Sequence, residues 1–344
     1  MSNASKDEIK SLPEGYRARA ANKGDLNRIV EIANLAALET MGAEDTNADE
    51  ILTDWKDPNF DLARDSQLVF SDTGNVVGVA EVFKSDAPPV KPYLWFRILP
   101  GEENSGVGDH LVSWGEASAR KVFDDVPKGV RVAMPAHNVS GYAPLKELLD
   151  RHSLKVIRHS LQMRIEMKEA PAQVQWPEGI RLAPYDESKD LEAVYRAQNE
   201  AFRDHFGHIE ESFEEGFPIF KRYMVEAEGY EPGLWFLAKD GDEIAGLSLC
   251  RTYSWEDKEM GWVMDLGVRR PWRKQGLGLA LLQHSFAEYY RRGFRRVGLG
   301  VDASSLTGAT RLYKKAGMTV HRQYDRYEKE LRAGEELGKT ELDE

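Results

Sequence analysis

The chain is almost free of cysteine. Its 344 residues include only one, Cys250, so neither an internal disulfide nor a cysteine-based zinc site can form within one chain. We therefore expect Cys250 to be a small buried core residue, and we expect no bound metal.

Long hydrophobic runs are also missing. No stretch approaches the roughly 18 uninterrupted apolar residues typical of a membrane helix, and the opening MSNASKDEIK lacks the apolar core of a signal peptide. These absences predict a cytoplasmic protein that does not act on a membrane.

Positive charge is in deficit. The chain has 46 Lys and Arg against 58 Asp and Glu, a formal net charge of −12. A negative surface repels phosphate backbones and tolerates or attracts small cations. We therefore expect a small-molecule substrate and no nucleic acid, with the protein acting as a monomer or homodimer.

The length suits two domains of about 150 residues each, and the sequence repeats itself around a proline-containing stretch. Each half reads as strand, turn and helix, then a hairpin (LVFSDTGNVVGVAEVF; LWFLAKDGDEIAGLSLC), then strand, Gly-x-Gly loop and helix. A repeat of roughly 165 residues is far longer than a solenoid period, so it indicates a duplicated domain.

The predicted fold class is α/β (α+β), with two tandem domains that are each a mixed central sheet flanked by helices. The expected bounds are a tail at 1–14, a first domain at 15–168, a linker at 169–177, a second domain at 178–333 and an acidic tail at 334–344.

The loop RKQGLG, Arg273 to Gly278, separates a strand from a helix in the second half. A glycine-rich turn into a helix presents unpaired N–H groups to an anion, and Arg273 and Lys274 add positive charge at the rim. Gly276 and Gly278 remove Cβ atoms that would keep a phosphate away. The loop is neither a P-loop nor a Rossmann fingerprint. The alternative is that the glycines only shape a tight turn.

The pattern Arg-x-x-Gly-x-Gly after a strand resembles the pyrophosphate-binding motif of the GNAT acetyltransferase superfamily. The tandem arrangement resembles the mycothiol synthase family within it. The resemblance implies acetyl-coenzyme A as cosubstrate, and a helix after the loop with Leu279, Leu282, Phe286 and Tyr289 on one face. The implied coenzyme-binding residues are Leu266, Val268, Arg273, Lys274, Gln275, Gly276, Leu277, Gly278 and Leu279.

A second stretch, VDASSLTGATRLYKKAGM, is similar to the late strand and helix of the same family. Tyr313 takes the place of the tyrosine that the family uses as general acid toward the coenzyme A thiolate. The alternative is a core tyrosine.

The first half lacks these features. Glu103 stands where Arg273 does, Leu149 stands where Tyr313 does, and Ser153 replaces Gly317. An acidic side chain at a phosphate rim repels the ligand. We therefore expect a degenerate, largely structural first domain, although Gly106 and Gly108 leave open weak coenzyme binding.

The general base is not evident. Trp262 occupies the position of the family's usual glutamate. Met264, on the same face of the strand, has a side chain that cannot accept a proton. Asp265 is the remaining candidate, but it would face the other side unless a β-bulge re-aims it; otherwise it anchors a strand or loop. We expect Glu256 and Glu259 to be solvent-exposed charges of a hairpin, and His284 to be a helix residue whose ring is hydrogen-bonded within the fold.

The acceptor is weakly constrained. Tyr253, Trp255 and Trp262 suggest an aromatic wall, or simply core. An acidic segment after the first helix of the second half could attract a cationic amine or form a solvated face: Asp204, Glu210, Glu211, Glu214 and Glu215. The resemblance implies an acetyl-CoA-dependent N-acetyltransferase for a small-molecule amine, with a non-catalytic acyl-CoA binding or sensing protein as the alternative.

Overall fold

The computed structural model describes residues 9–84, 87–305 and 308–340. The chain forms two compact units. Unit 1 contains the residues up to Arg158 together with Tyr324–Leu337, and unit 2 contains His159–Gln323 together with the residues from Gly338 onward.

Unit 1 contains an antiparallel sheet in the order β1-β2-β3-β4, and outside this sheet a further strand, β5, that pairs with residues Tyr324–Arg332. The elements in chain order are β1 (Arg17–Arg19), α1 (Leu26–Met41), α2 (Ala48–Trp55), α3 (Leu62–Asp65), β2 (Ser66–Phe70), β3 (Val76–Phe83), β4 (Tyr93–Ile98), α4 (Val107–Ala119), β5 (Val132–Val139) and α5 (Ala143–Arg151). The core lies where α1 and α2 pack against β2 and β3.

The remaining elements begin with β6 (Lys155–Glu166), which crosses the boundary between the units. Then come β7 (Ile180–Ala183), α6 (Glu187–Phe202), α7 (Phe213–Met224), β8 (Tyr230–Asp240), β9 (Glu243–Arg251), β10 (Met260–Val268), α8 (Leu277–Arg291), β11 (Arg296–Asp302), α9 (Ala309–Lys315) and β12 (Thr319–Arg332). Unit 2 has a mixed sheet in the order β6-β11-β10-β9-β8-β7, in which β10 and β11 are parallel.

The units do not coincide with the sequence halves. β6 comes from the first half but pairs with β11, from Ser160 opposite Asp302 to Glu166 opposite Arg296. Residues Tyr324–Arg332 of β12 come from the second half but pair with β5. Each unit therefore takes in the last strand of the other half, which pairs with β11 in unit 2 and with β5 in unit 1. Backbone hydrogen bonding assigns a strand by its partner and not by its place in the chain.

Helices cover both faces of the sheet in unit 2. One core layer lies between the sheet and α8 and α9, and contains the buried Cys250 as expected. The other lies beneath α6 and α7. The predicted α/β class is confirmed. Of the face predicted for α8, Leu282, Phe286 and Tyr289 are buried, whereas Leu279 is only partly buried.

No helix in the described part of the chain is both long and apolar enough to cross a membrane.

Candidate active site

β10 and β11 separate at one end and leave a gap. Their parallel pairing runs only from Met260 opposite Arg296 to Val263 opposite Leu299, although both strands continue. The N–H of Arg269 bonds to the carbonyl of Ala245 on β9 at 3.0 Å. In an antiparallel pair, the backbone N–H and carbonyl groups of successive residues point alternately toward and away from the neighbouring strand. Since those of Arg269 point toward β9, the backbone N–H and carbonyl groups of Leu266 and Val268 point away from β9 and toward the gap. This edge of β10 offers hydrogen bonds to an extended ligand.

A β-bulge sits where the gap begins. Val263 pairs with Cys250 and Asp265 with Leu249, so Met264 is inserted without a partner of its own on β9. A bulge disturbs the alternation of side chains. Met264 packs against the core beneath α6 and α7, and Asp265 accepts a hydrogen bond on the same side, from Gln198 Nε2 of α6 at 3.1 Å. The bulge that would re-aim Asp265 is therefore present.

Asp265 is partly buried. Burial raises its pKa to about 6, against the opposing effects of the Gln198 hydrogen bond and the positive charge of Arg251. A carboxylate with a pKa near neutrality is suited to accept a proton. Gln198 was not found from the sequence, because one polar residue on a helix gives no signal of its partner.

Tyr313 of α9 is buried in the core layer beneath α8 and α9. Burial and the negative charge of Asp265 raise its pKa to about 12, so the hydroxyl is protonated at neutral pH. Among the described residues, none hydrogen-bonds this hydroxyl. Tyr313, which can donate a proton, and Asp265, which can accept one, therefore interact electrostatically.

The loop between β10 and α8 has an open backbone. Gly276 adopts φ 89°, and a Cβ at this position would meet nothing within 4 Å. Lys274 also has a positive φ, of 63°. Ala280 is the first helical residue whose N–H bonds back, to the Gly276 carbonyl at 3.1 Å. The N–H groups from Lys274 to Leu279 find no acceptor in the described part of the chain and are available to an anion.

Gly278 has a different role from the expected one. A Cβ on this residue would lie 3.0 Å from Leu312 Cδ1 and 3.6 Å from Val268 Cγ2. The missing side chain therefore allows α8 to approach α9 and β10 closely, and does not make room for a phosphate.

Arg273 is held beneath the loop. Its Nε donates to the Val268 carbonyl at 2.9 Å, one terminal nitrogen donates to the Ala201 carbonyl at 3.0 Å, and the other pairs with Asp204. The guanidinium thus fixes the loop to the end of β10 and to α6, whereas Lys274 is exposed.

Asp204 is not available to a substrate. Only 1% of its side chain is exposed, and the hydrogen bonds and charges of Arg270 and Arg273 hold its carboxyl pKa well below the usual range. The suggestion that Asp204 attracts an amine is therefore wrong, because the carboxylate is already paired with two guanidinium groups. Elsewhere in the acidic segment, Glu215 forms a capping box with Ser212 at the start of α7.

The other candidate bases have structural partners. Glu256 is largely buried and pairs with Arg322 at 2.7 Å, so it is not the solvated charge that was expected. His284 packs edge-on against Phe236, with ring centroids 4.7 Å apart, and burial lowers its pKa. The ring of Trp262 lies 6.4 Å from that of Trp255.

The corresponding loop in unit 1 has the same backbone. Gly106 adopts φ 92°, ψ −7°, compared with 89° and −4° for Gly276. Its surroundings differ, since a Cβ on Gly106 would lie 3.0 Å from Pro13 Cγ. The N-terminal segment is anchored on both sides of Pro13. Lys10 N–H donates to Ser113 Oγ of α4 at 2.9 Å, and Tyr16 Oη donates to Glu102, in the loop before α4, at 2.7 Å.

Three comparisons with known proteins agree with this geometry. Residues 191–318 match the acetyltransferase (GNAT) family. The mycothiol acetyltransferase of Thermobispora bispora is 28% identical over 255 residues, 73% of this chain and 79% of the relative. That of Streptomyces scabiei is 26% identical over 258 residues, 74% and 76% of the two chains.

Two solved structures share the fold over most of the chain. A tandem GNAT protein from the clavulanic acid biosynthesis pathway has a TM-score of 0.66 at 16% identity, over 93% of this chain and 100% of that one. The GCN5-related N-acetyltransferase from Sphaerobacter thermophilus has a TM-score of 0.79 at 32% identity, over 95% of this chain and 99% of that one. The chain therefore belongs to the GCN5-related N-acetyltransferase (GNAT) family and is an N-acetyltransferase, with a fold that uses acetyl-CoA or another acyl-CoA.

Proposed function

We propose that the protein transfers an acetyl group from acetyl-CoA to a small-molecule amine, and that unit 2 carries the chemistry. The observation that supports this most directly is that Asp265 lies on β10 where this strand separates from β11, and that its negative charge helps to raise the pKa of Tyr313.

The coenzyme would lie along the edge of β10. Its pyrophosphate binds the N–H groups at the start of α8, with Lys274 at the rim, and its pantetheine arm pairs with Leu266 and Val268. Arg273 acts as a positioning residue, since it holds the Val268 carbonyl and the loop in place. The contacts from Gln275, Leu277 and Leu279 would be made through the loop backbone and first helical turn.

The transfer then needs two proton movements. Asp265 accepts a proton from the substrate ammonium, and the neutral amine attacks the thioester carbonyl carbon. The tetrahedral intermediate collapses with cleavage of the C–S bond, and the Tyr313 hydroxyl protonates the departing thiolate. The proton released by the acylated nitrogen restores the tyrosine. The balance is one amide, one thiol and one proton.

The acceptor would approach from the side of the sheet covered by α6 and α7. The aromatic rings of Phe213 and Phe217 stack there at 4.8 Å and pack against the same core as Met264. Such a wall favours an amine with an apolar or ring-shaped body. A panel of acceptor amines therefore contains cysteinyl conjugates, amino sugars and arylalkylamines.

A thiol-release assay over this panel tests the proposal. We expect Asp265→Asn to lower turnover by about 100- to 10,000-fold on the best amine, as for loss of a positioned base. In the native enzyme, kcat/KM should fall as pH decreases through about 6, where Asp265 becomes protonated and can no longer accept a proton. The control is Glu259→Gln, which removes an exposed carboxylate from the turn before β10. As a surface substitution, it should change turnover by less than about twofold.

Tight coenzyme binding with no turnover of any amine would instead support an acyl-CoA binding protein. The same assay with Asp265→Asn at native turnover would remove Asp265 from the mechanism while leaving the reaction intact.

A further inference from the structure

One glycine of β11 has open space where its side chain would be. Gly300 lies inside this strand, which has β6 on one side and β10 on the other, yet the residue is exposed. No atom of the described residues lies within 4 Å of the place that a Cβ would occupy, and φ is outside the left-handed region. Glycine in a strand interior weakens the strand, because it costs backbone entropy and packs no side chain. The described fold recovers nothing in return at this position.

The other glycines in described strands each have a packing reason. A Cβ on Gly298, two residues earlier in β11, would lie 2.7 Å from Cζ3 of Trp262. Elsewhere a Cβ would come within 3.0 Å of a neighbouring atom at Gly78, Gly233, Gly246, Gly261 and Gly267. Gly300 differs from all of these. A strand glycine without a packing reason indicates a place that a ligand approaches closely.

Gly300 lies on the face of the sheet proposed for the acceptor. Val297 and Leu299 point into the core beneath α8 and α9, so the alternation of side chains places Gly300 on the opposite face. This is the face toward α6, where the Asp265 carboxyl accepts its hydrogen bond. Gly300 is also the first residue of β11 after the last pair with β10. The open space therefore lies where the two strands begin to separate.

The backbone of Gly300 borders the gap as well. The Ala303 N–H bonds to the His159 carbonyl of β6 at 2.9 Å, and the pairing with β6 runs back to Gly300 without a register shift. By the antiparallel alternation, the polar groups of Gly300 point away from β6 and toward β10. Since the ladder with β10 ends at Val263, the Gly300 carbonyl faces the gap. There it can accept a hydrogen bond from the nitrogen of the acceptor.

The side chain beside Gly300 has a partner of its own. Gln162 of β6 lies directly opposite Gly300 and is only 5% exposed. Its Oε1 accepts a hydrogen bond from Arg322 at 3.4 Å, and Arg322 also pairs with Glu256 at 2.7 Å. These polar groups bond to one another beside the open space and do not fill it.

The position of the space indicates the shape of the acceptor. The amine has to reach the point where β10 and β11 separate, so the part of the acceptor above Gly300 is the part next to its nitrogen. A straight chain leaves room for a side chain at this position, whereas a ring or a branched carbon would collide with one. The missing side chain is therefore useful only to an acceptor that is broad beside its amine.

We propose that Gly300 is a specificity-determining residue, which admits amines carried on a ring or on a branched carbon. This inference rests on the proposed acetyl transfer in unit 2. It adds to that proposal the shape of the acceptor and the residue that selects it.

The test compares cyclohexylamine with n-hexylamine, which have the same number of carbon atoms. In thiol-release kinetics on the full chain, the native protein should give cyclohexylamine the higher kcat/KM. In Gly300→Val, overpacking should lower kcat/KM for cyclohexylamine by about 10- to 100-fold. The value for n-hexylamine, and the dissociation constant of coenzyme A in calorimetry, should change by less than about twofold. Gly300→Ala should give a smaller loss in the same direction.

Denaturant titration separates this role from a structural one. Valine favours a strand, so Gly300→Val should unfold at a higher denaturant concentration than the native protein. Gly298→Val should unfold at a lower one, because its side chain would collide with the Trp262 ring. Thr319→Val, at an exposed position of β12, controls for a β-branched apolar side chain on this sheet. It should leave kcat/KM for both amines within about twofold of the native values.

Ligand-detected NMR of the two amines, with coenzyme A bound, measures the same preference without turnover. Failure to acetylate either amine would contradict the proposed function for such amines, and Gly300 is then judged by the binding preference alone. The inference is overturned by equal binding of the two amines, by binding of neither, by a preference for the ring that survives in Gly300→Val, or by a loss of stability in that variant.

Discussion

The glycine loops before α4 in unit 1 and α8 in unit 2 have the same backbone conformation but different side chains around them. Gly106 and Gly276 begin their helices with nearly identical dihedral angles, but one lies under Pro13 and the other is open. Trp95 precedes Gly106 by the same number of residues by which Asp265 precedes Gly276, so Trp95 of unit 1 corresponds to Asp265 of unit 2. Trp95 packs into the core beneath α1, on a strand without a bulge.

The ends of the following helices match in the same way. The Leu154 N–H bonds to the Leu149 carbonyl at 3.0 Å, and the Met318 N–H bonds to the Tyr313 carbonyl at 3.0 Å. Both are the six-residue capping bonds of a Schellman motif. Leu149, which is completely buried, therefore has the place of Tyr313.

This comparison teaches that the backbone of a reaction gap does not by itself provide a reaction. The fold depends on core positions and turn geometry, which both units retain. The proposed chemistry depends on a few side chains facing the gap, which differ. The gap between β4 and β5 of unit 1 is left as a cavity with aromatic side chains in its lining.

The largest effect is expected for Tyr313→Phe. The change keeps the ring in the core and deletes the hydroxyl, so turnover should fall by about 100- to 10,000-fold with little change in coenzyme affinity. Steady-state kinetics and calorimetry measure the two quantities. Native turnover would mean that the thiolate leaves unaided or takes its proton from water.

Leu149→Ala is the matched substitution in unit 1. Because Leu149 is completely buried, its truncation should lower the free energy of unfolding by about 2 to 5 kcal/mol. Denaturant titration measures the loss, and turnover per folded molecule should be unchanged. A loss of turnover at full stability would give unit 1 a part in the reaction.

Arg273→Glu copies the acidic residue of unit 1 into the unit 2 loop. It breaks the contacts to Val268, Ala201 and Asp204, and should weaken coenzyme binding by about 1.5 to 3 kcal/mol, the range for hydrogen bonds to charged groups, or more with repulsion from Asp204. Calorimetry measures the dissociation constant.

Arg273→Lys distinguishes positioning from charge, since lysine keeps the charge but cannot make the forked contacts. We expect Arg273→Lys to bind coenzyme nearly as poorly as Arg273→Glu. Native affinity in the lysine variant would mean that charge alone matters at this position.

The smallest effect is expected for Ser153→Gly. Ser153 has φ 62° at the end of α5, where the corresponding residue of unit 2 is Gly317 with φ 94°. Glycine adopts this conformation without steric cost, so the variant should be more stable by about 0.5 to 1 kcal/mol. Gly317→Ser should be less stable by a similar amount in thermal unfolding, and an opposite sign in either would show that local contacts outweigh the backbone preference.

Much of the organisation could be predicted from local patterns. The hairpins at Gly74 and Gly241, the open loop at Gly276 and the replacement of Tyr313 by Leu149 all appear as short motifs at matching separations. The interpretation of individual side chains was less successful. Asp204 was considered for a substrate and is paired with arginines, and Gly278 was assigned to a phosphate and faces Leu312.

The sequence by itself determined the repeated order of elements, the place of the glycine-rich loop before α8 and the substitution of Arg273 and Tyr313 by Glu103 and Leu149 in the first half, because strand periodicity, glycine turns and motif spacing are properties of neighbouring residues. Only the tertiary structure decided which groups meet. The pairing of β6 with β11, the bulge that turns Asp265 toward Gln198, and the cover of Pro13 over Gly106 join residues far apart in the chain. Such contacts depend on how whole elements pack, and no local pattern records them.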